Sequence, residues 1–176
     1  MEIIAGIYRG RKLISPRPGV RPIPVLLRKS MFDILGARIL DCRFLDAFAG
    51  SGVVGLEALS RGAAWVDFVE ADRDTGDVIR KNLRGLKAQA KARIHEVNYF
   101  QFLRDTSSAY DVVFMDPPYE FEPVAEAVEK TLAGVCVVAG TSLVVKAPAD
   151  WSWPKSQSTL ERVKAQGSNA LYFFGR

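Results

Sequence analysis

Two stretches of the chain combine residue types at spacings that can do chemistry. Gly50-Ser51-Gly52-Val53-Val54-Gly55 is a GxGxxG run set directly after an apolar strand-like segment and at the start of a helical one. Glycines there let the backbone turn sharply and approach a ligand, while the helix start offers free N–H groups. Glu70 ends the next strand-like segment, where an acidic side chain accepts both hydroxyls of a ribose. Together these point to an adenosine-type cofactor, with a ligand-free structural turn as the plainer alternative. No Lys-Ser or Lys-Thr follows the glycines, which excludes a P-loop, but the spacing alone permits NAD. Asp46, at the end of the first strand, would repel a pyrophosphate and suits the ammonium of a methionine moiety. S-adenosylmethionine is the cofactor that fits.

The second stretch is Asp116-Pro117-Pro118-Tyr119, which follows the apolar run Val112 to Met115. It therefore falls at the carboxyl end of a central strand, where open α/β sheets bind ligands. Asp116 can accept one hydrogen of a planar amino group and the Pro117 carbonyl the other. Pro117 and Pro118 fix that geometry, and Tyr119 supplies a face for stacking a base. Such a site works mostly by positioning, with electrostatic help as positive charge develops on nitrogen. No separate general base is required. A proline turn without function is the alternative, and the glycine loop with Glu70 counts against it.

Strands alternating with helices must hold these motifs in place. The apolar patterning predicts a helix over 25–35, a strand over 43–48, a helix over 53–61 and a strand over 65–70. A basic helix interrupted at Gly85 follows over 74–91, then a strand over 92–97, a short helix over 99–103 and a strand over 110–116. A helix over 123–132 and a fifth strand over 142–146 precede a terminal hairpin, 158–166 with 169–175, turning at Gly167. This alternation implies a parallel, doubly wound sheet with right-handed crossovers. At the N-terminus, residues 2–16 read as a basic β-hairpin turning at Tyr8 to Arg11. Pro16 to Pro24, with four prolines, reads as an extended connector. Residues 1–24 are thus expected to be an appendage of the single domain carried by 25–176.

With 176 residues, 48% of them apolar and 25% charged, the chain has the composition of one soluble globular domain. No run approaches the length of a membrane span and the first residues lack the order of a signal peptide, so no membrane role and a cytoplasmic location are expected. Cys42 and Cys136 have 93 residues between them and His95 is the one histidine, so neither a metal site nor a disulfide framework is expected. His95 reads as a strand or edge histidine, not a catalytic base. The net charge of +4 is unevenly spread: residues 1–32 hold seven basic side chains against Glu2 alone. A positive field concentrated there suits a polyanion, although a solvated basic arm has the same composition.

The match to known sequences extends beyond these motifs. DPPY after the fourth strand is characteristic of methyltransferases acting on exocyclic amino groups of nucleic acid. IIAGIYRGRKL at the N-terminus, Arg21-Pro22, FDIL at 32–35, LDAFAGSGVVGLEALSRGAAWVDFVEAD at 45–72 and ALYFFGR at the C-terminus closely resemble the RsmD-type 16S rRNA guanine-N2 methyltransferases of bacteria. The resemblance implies a Rossmann-like class I methyltransferase fold, a seven-stranded mostly parallel sheet with an antiparallel last strand. It implies S-adenosylmethionine as donor and the N2 of one guanine in small-subunit rRNA as acceptor, in an assembled or partly assembled particle. By matching position, Asp46, Phe48, Gly50, Ser51, Gly52, Glu70 and Asn98 would bind the cofactor. Asp116, Pro117, Pro118 and Tyr119 would hold the guanine, and Arg9, Arg11, Lys12 and Arg21 would meet RNA. A monomer is expected.

Three positions depart from the resemblance. Asn98 stands in place of an aspartate for the adenine amino group, and its amide oxygen still accepts that bond. Ile23-Pro24-Val25-Leu26-Leu27 replaces a polar stretch, removing contacts to cofactor or RNA expected there. Lys146 replaces an acidic residue after the fifth strand, as an added RNA contact or a solvated strand end. Three other functions share part of the pattern. A DNA adenine or cytosine amino-methyltransferase has the same DPPY chemistry, but there is no insertion to serve as a target-recognition region. An NAD-dependent oxidoreductase would use the glycine loop and Glu70, without a convincing proton donor. A ribosome-assembly binder that has lost catalysis would trace to 23–27.

Overall fold

The computed structural model describes residues 1–15, 22–118, 124–152 and 159–175. Its helices are α1 (Val25–Leu35), α2 (Val53–Ser60), α3 (Arg73–Leu86), α4 (Tyr99–Asp105) and α5 (Val124–Ala133). Its strands are β1 (Arg43–Ala47), β2 (Trp65–Val69), β3 (Ala92–His95), β4 (Tyr110–Met115), β5 (Val137–Pro148), β6 (Thr159–Gln166) and β7 (Asn169–Gly175). They form one sheet in the order β3-β2-β1-β4-β5-β7-β6. β1 to β5 pair in parallel, and β7 runs antiparallel to both β5 and β6. The chain thus has the seven-stranded sheet with a reversed last strand that the resemblance implies.

After β1 the chain winds outward through β2 and β3, then returns to the other side of β1 with β4. The reversal opens a crevice between the carboxyl ends of β1 and β4, the place where doubly wound sheets bind ligands. The strands are apolar on both faces because helices cover both. Phe44, Phe68, Val112, Phe114 and Val144 pack with Leu27, Met31, Leu56, Ile79 and Leu83 of α1, α2 and α3. The alternate positions Leu45, Val69, Val113, Met115 and Val145 pack with Phe102 of α4 and Ala127 and Val128 of α5. Period-two alternation therefore decides which side of the sheet each site residue occupies.

Several boundaries differ from the sequence-based expectation, each for a local reason. The N-terminal hairpin is short: Glu2 and Lys12 form an isolated antiparallel bridge, and Ile3 N–H bonds the Arg11 carbonyl, Gly10 N–H the Ile3 carbonyl and Leu13 N–H the Met1 carbonyl. Other N–H groups of the arm bond helix side chains. Ile4 and Ala5 N–H bond the Glu57 carboxylate, Tyr8 N–H bonds Ser60 Oγ, and Ile14 N–H bonds Asn82 Oδ1. α3 runs through Gly85 and stops at Leu86, where Lys87 turns left-handed at φ 57° and ψ 38°. A 3-10 turn over Gln89–Lys91 follows. β5 begins five residues early, taking up the extra length in an irregularity opposite Tyr110 and Val112 that Thr141 braces through the Tyr110 carbonyl. Pro123 and Ser158, the expected first residues of α5 and β6, lie outside the described residues.

Candidate active site

The glycine loop is held from below by two carboxylates. Leaving β1, Phe48, Gly50 and Gly52 take positive φ values of 60°, 52° and 73°. Such backbone is cheap for glycine and costs a phenylalanine about 1 kcal/mol, so the loop must be fixed by its surroundings. Ala49 N–H bonds the Val69 carbonyl at 2.9 Å, tying the loop to the end of β2. Glu70 then accepts Gly50 N–H at 2.8 Å through Oε2 and Asp72 N–H at 2.9 Å through Oε1. Gly55 has a different reason to be glycine: a Cβ there would lie 2.8 Å from Val66 Cγ1, so only glycine lets α2 lie this close to β2. Ser51 is buried, its Oγ 3.4 Å from Val53 N.

Asp46 is the second brace. Its side chain is 1% exposed, and its Oδ2 accepts Gly55 N–H at 2.9 Å. Burial pushes this carboxyl well above the usual range; the Gly55 N–H opposes the shift, while the negative charges of Asp116 and Glu70 add to it. Phe48 is half-buried against Tyr99, their ring centroids 4.9 Å apart. Asn98 is exposed and begins α4, where its Oδ1 accepts Gln101 N–H at 2.9 Å. It is a helix cap, and that oxygen keeps a second lone pair.

Across the crevice, Asp116 and Pro117 follow β4. Pro117 is buried, Pro118 is exposed, and Tyr119 lies outside the described residues. Lys146 Nζ donates to Asp116 Oδ1 at 2.7 Å. The lysine is 8% exposed and meets the Asp116 carboxylate, so it is not a solvated strand end. Burial pushes the Asp116 carboxyl up, and the Lys146 charge and hydrogen bond pull it back.

The basic residues of the N-terminal arm stand apart from this crevice. Arg9, Arg11 and Lys12 are exposed, and Arg11 donates to the Gly85 carbonyl in the last turn of α3 at 2.9 Å. The loop and Glu70 lie at the opposite end of that helix, about 20 Å along its axis. Arg21 lies outside the described residues. What anchors the arm is Glu57, which no sequence motif singled out. It is fully buried in α2 and accepts from Ile4 N–H, Ala5 N–H and Arg61 Nε, with Arg28 Nε at 3.9 Å. A charged residue inside the apolar run VVGLEALS was the available signal, since such a group survives burial only when paired.

The remaining reactive side chains are structural. Cys42 and Cys136 are buried free thiols, pushed by burial up to about 12 and about 11, too high to act as nucleophiles near neutrality. His95 bonds Asp67 at 2.8 Å and rests edge-on against Phe102. Among the described residues no group of three His, Cys, Asp or Glu converges to hold a metal, and no helix is long and apolar enough to cross a membrane.

Known proteins share this arrangement. A family model described as Conserved hypothetical protein 95 matches residues 1–175. Ribosomal RNA small subunit methyltransferase D of Escherichia coli strain K12 is 37% identical over 182 residues, covering 98% of this chain and 89% of its own. The protein of the same name from Haemophilus influenzae is 33% identical, covering 90% and 89%. Among solved structures, Escherichia coli yhhF matches with a TM-score of 0.87 at 35% identity, covering 100% of this chain and 97% of that one. A hypothetical protein of Thermus thermophilus matches with a TM-score of 0.88 at 35% identity, covering 100% and 99%. An RNA methyltransferase from Salinibacter ruber, in complex with S-adenosyl-L-homocysteine, shares the fold at 17% identity and a TM-score of 0.69. From the basic arm to the last strand, the chain belongs to the RsmD family of ribosomal RNA small subunit methyltransferases.

Proposed function

We propose that this protein is an S-adenosylmethionine-dependent methyltransferase that modifies the exocyclic N2 of a guanine in 16S rRNA, in an assembled or partly assembled small subunit. The observation that carries the reading is the pairing across the switch point. The Gly50–Gly52 loop with Glu70 lies at the ends of β1 and β2, and Asp116-Pro117 lies at the end of the adjacent β4. Cofactor and acceptor sites on neighbouring strands bring donor and acceptor atoms together by position alone.

The residues fit the cofactor. The loop takes positive φ at Gly50 and Gly52, as glycine allows, and both Glu70 oxygens keep a lone pair for ribose hydroxyls beside the N–H bonds they already accept. Asp46 offers negative charge to the methionine ammonium. Bound S-adenosylmethionine supplies an electrophilic methyl group on its sulfonium. Asp116 and the Pro117 carbonyl accept the two hydrogens of the guanine amino group and turn its nitrogen toward that methyl. As the nitrogen becomes positive, the Asp116 carboxylate stabilises it and the proton leaves to solvent. Tyr119 stacks on the base.

The arm extends the substrate beyond one nucleotide. A ligand that reaches both the Glu70 end of α3 and Arg11 at its far end must span about 20 Å along that helix, which suits folded RNA whose target base is unstacked into the crevice. The relatives' names favour rRNA over DNA as acceptor. Transfer of labelled methyl to small subunits lacking the modification, with naked rRNA and DNA in parallel, tests the reading. Label on subunits is expected, and label on DNA alone would replace it.

A further inference from the structure

β4 and β5 pair in parallel with Met115 opposite Val145, so Asp116, the first residue past β4, comes beside Lys146, still within β5. The register therefore builds their contact, Nζ to Oδ1 at 2.7 Å, into the backbone. A lysine 8% exposed is costly to keep unless its charge is met, and here the charge is spent on the residue that faces the acceptor base. Among the described residues, the charged groups around Asp116 are Lys146 from β5 and Asp46 from β1, with Glu70, just after β2, beyond Asp46. β7 closes the other side of Lys146 with the buried, apolar Leu171.

An ionised carboxyl is a pure acceptor, whereas a protonated one turns a donor toward an amino group that also donates. Left alone in this buried place, Asp116 would hold a proton more tightly than an ordinary carboxyl, and the lysine opposes that. We propose that Lys146 is a positioning residue for methyl transfer, holding Oδ1 of Asp116 so that the carboxylate presents Oδ2 as an acceptor to the amino group of the base. This rests on the reading of Asp116 as the acceptor-binding group.

The test is the pH dependence of methyl transfer to small subunits at saturating S-adenosylmethionine, for wild type, Lys146→Met, Lys146→Gln and Lys146→Arg. Removing the charge should move the acidic limb upward by about one pH unit or more, a loss of about tenfold on that limb that is recovered at alkaline pH. Lys146→Arg should restore the wild-type limb, and cofactor affinity should stay within about twofold in all three. A loss equal at every pH, or a limb unmoved in Lys146→Gln, would overturn the proposal. Should Lys146→Met not fold, Gln and Arg decide. Asp116→Asn, which cannot ionise, should lack the limb; if it keeps one, the limb belongs to another group and the proposal fails. Full activity in Asp116→Ala would instead remove the underlying reading of Asp116.

Discussion

Glu70 Oε2 accepts the N–H of Gly50, twenty positions earlier in the chain, at 2.8 Å. The residue expected to hold the ribose is thus also the residue that holds the loop in shape, since its other oxygen secures Asp72 N–H at the start of α3. Cofactor binding and loop geometry are one mechanical unit.

Glu70→Gln should therefore behave much like Glu70→Ala. An amide keeps the size but must turn its NH2 toward one of two backbone donors, which opens the loop. Losing charge-assisted bonds of this kind costs about 1.5–3 kcal/mol each. Both variants should weaken S-adenosylmethionine binding by tenfold or more, as measured by calorimetric titration; near-normal affinity in Gln would detach loop geometry from binding.

Cofactor affinity should rise with pH through Asp46. Burial raises this carboxyl well above its usual range, helped by Asp116 and Glu70 and opposed by Gly55 N–H. Between about 3.9, the value of an unfolded aspartate, and that raised value, the folded protein holds a proton the unfolded chain lacks. The contribution to stability is present below the lower value and is lost as pH rises through the upper one. A methionine ammonium favours the ionised form, so binding releases the proton. Titrations in buffers of different ionisation enthalpy should detect that release, and Asp46→Asn should abolish it.

Glu57→Ala should cost stability about 3–5 kcal/mol, because it strands the Arg28 and Arg61 charges and two backbone donors of the arm. Denaturant unfolding measures the loss. Limited proteolysis should cut faster within the first fifteen residues than in the wild type.

Neutralising Arg9, Arg11 and Lys12 together should weaken RNA binding and flatten its salt dependence by about three counterions. Arg11 sits at the far end of α3 from Glu70, about 20 Å and so more than a Debye length of about 8 Å away, and kcat at saturating substrate should not change. Filter binding across a salt series separates the two effects, and an unchanged salt slope would take the arm out of the interface.

How far the sequence disclosed all this depends on how local each signal is. Strand and helix identities followed from hydrophobic period, and α1 matches at both ends because Pro24 and Gly36 punctuate it. The glycine loop, Glu70 and Asp116 were legible because a turn and a strand end are short-range features. Pairings set by register were not. From sequence Lys146 reads as an added RNA contact or a solvated strand end, and only the pairing of β5 with β4 shows its contact with Asp116; likewise the Asp67 network joins Trp65, His95 and Tyr110 from three strands. The docking of the arm was illegible for the same reason: several of its N–H groups bond side chains of Glu57, Ser60 and Asn82, more than fifty residues away.

The most direct test of the central claim is to label small subunits with methyl from S-adenosylmethionine, digest the RNA and identify the labelled nucleoside, with Asp116→Ala in parallel. The account predicts N2-methylguanosine from the wild type and almost none from the variant, whose cofactor affinity stays nearly intact. Label on any other atom, or equal labelling by the variant, would contradict it.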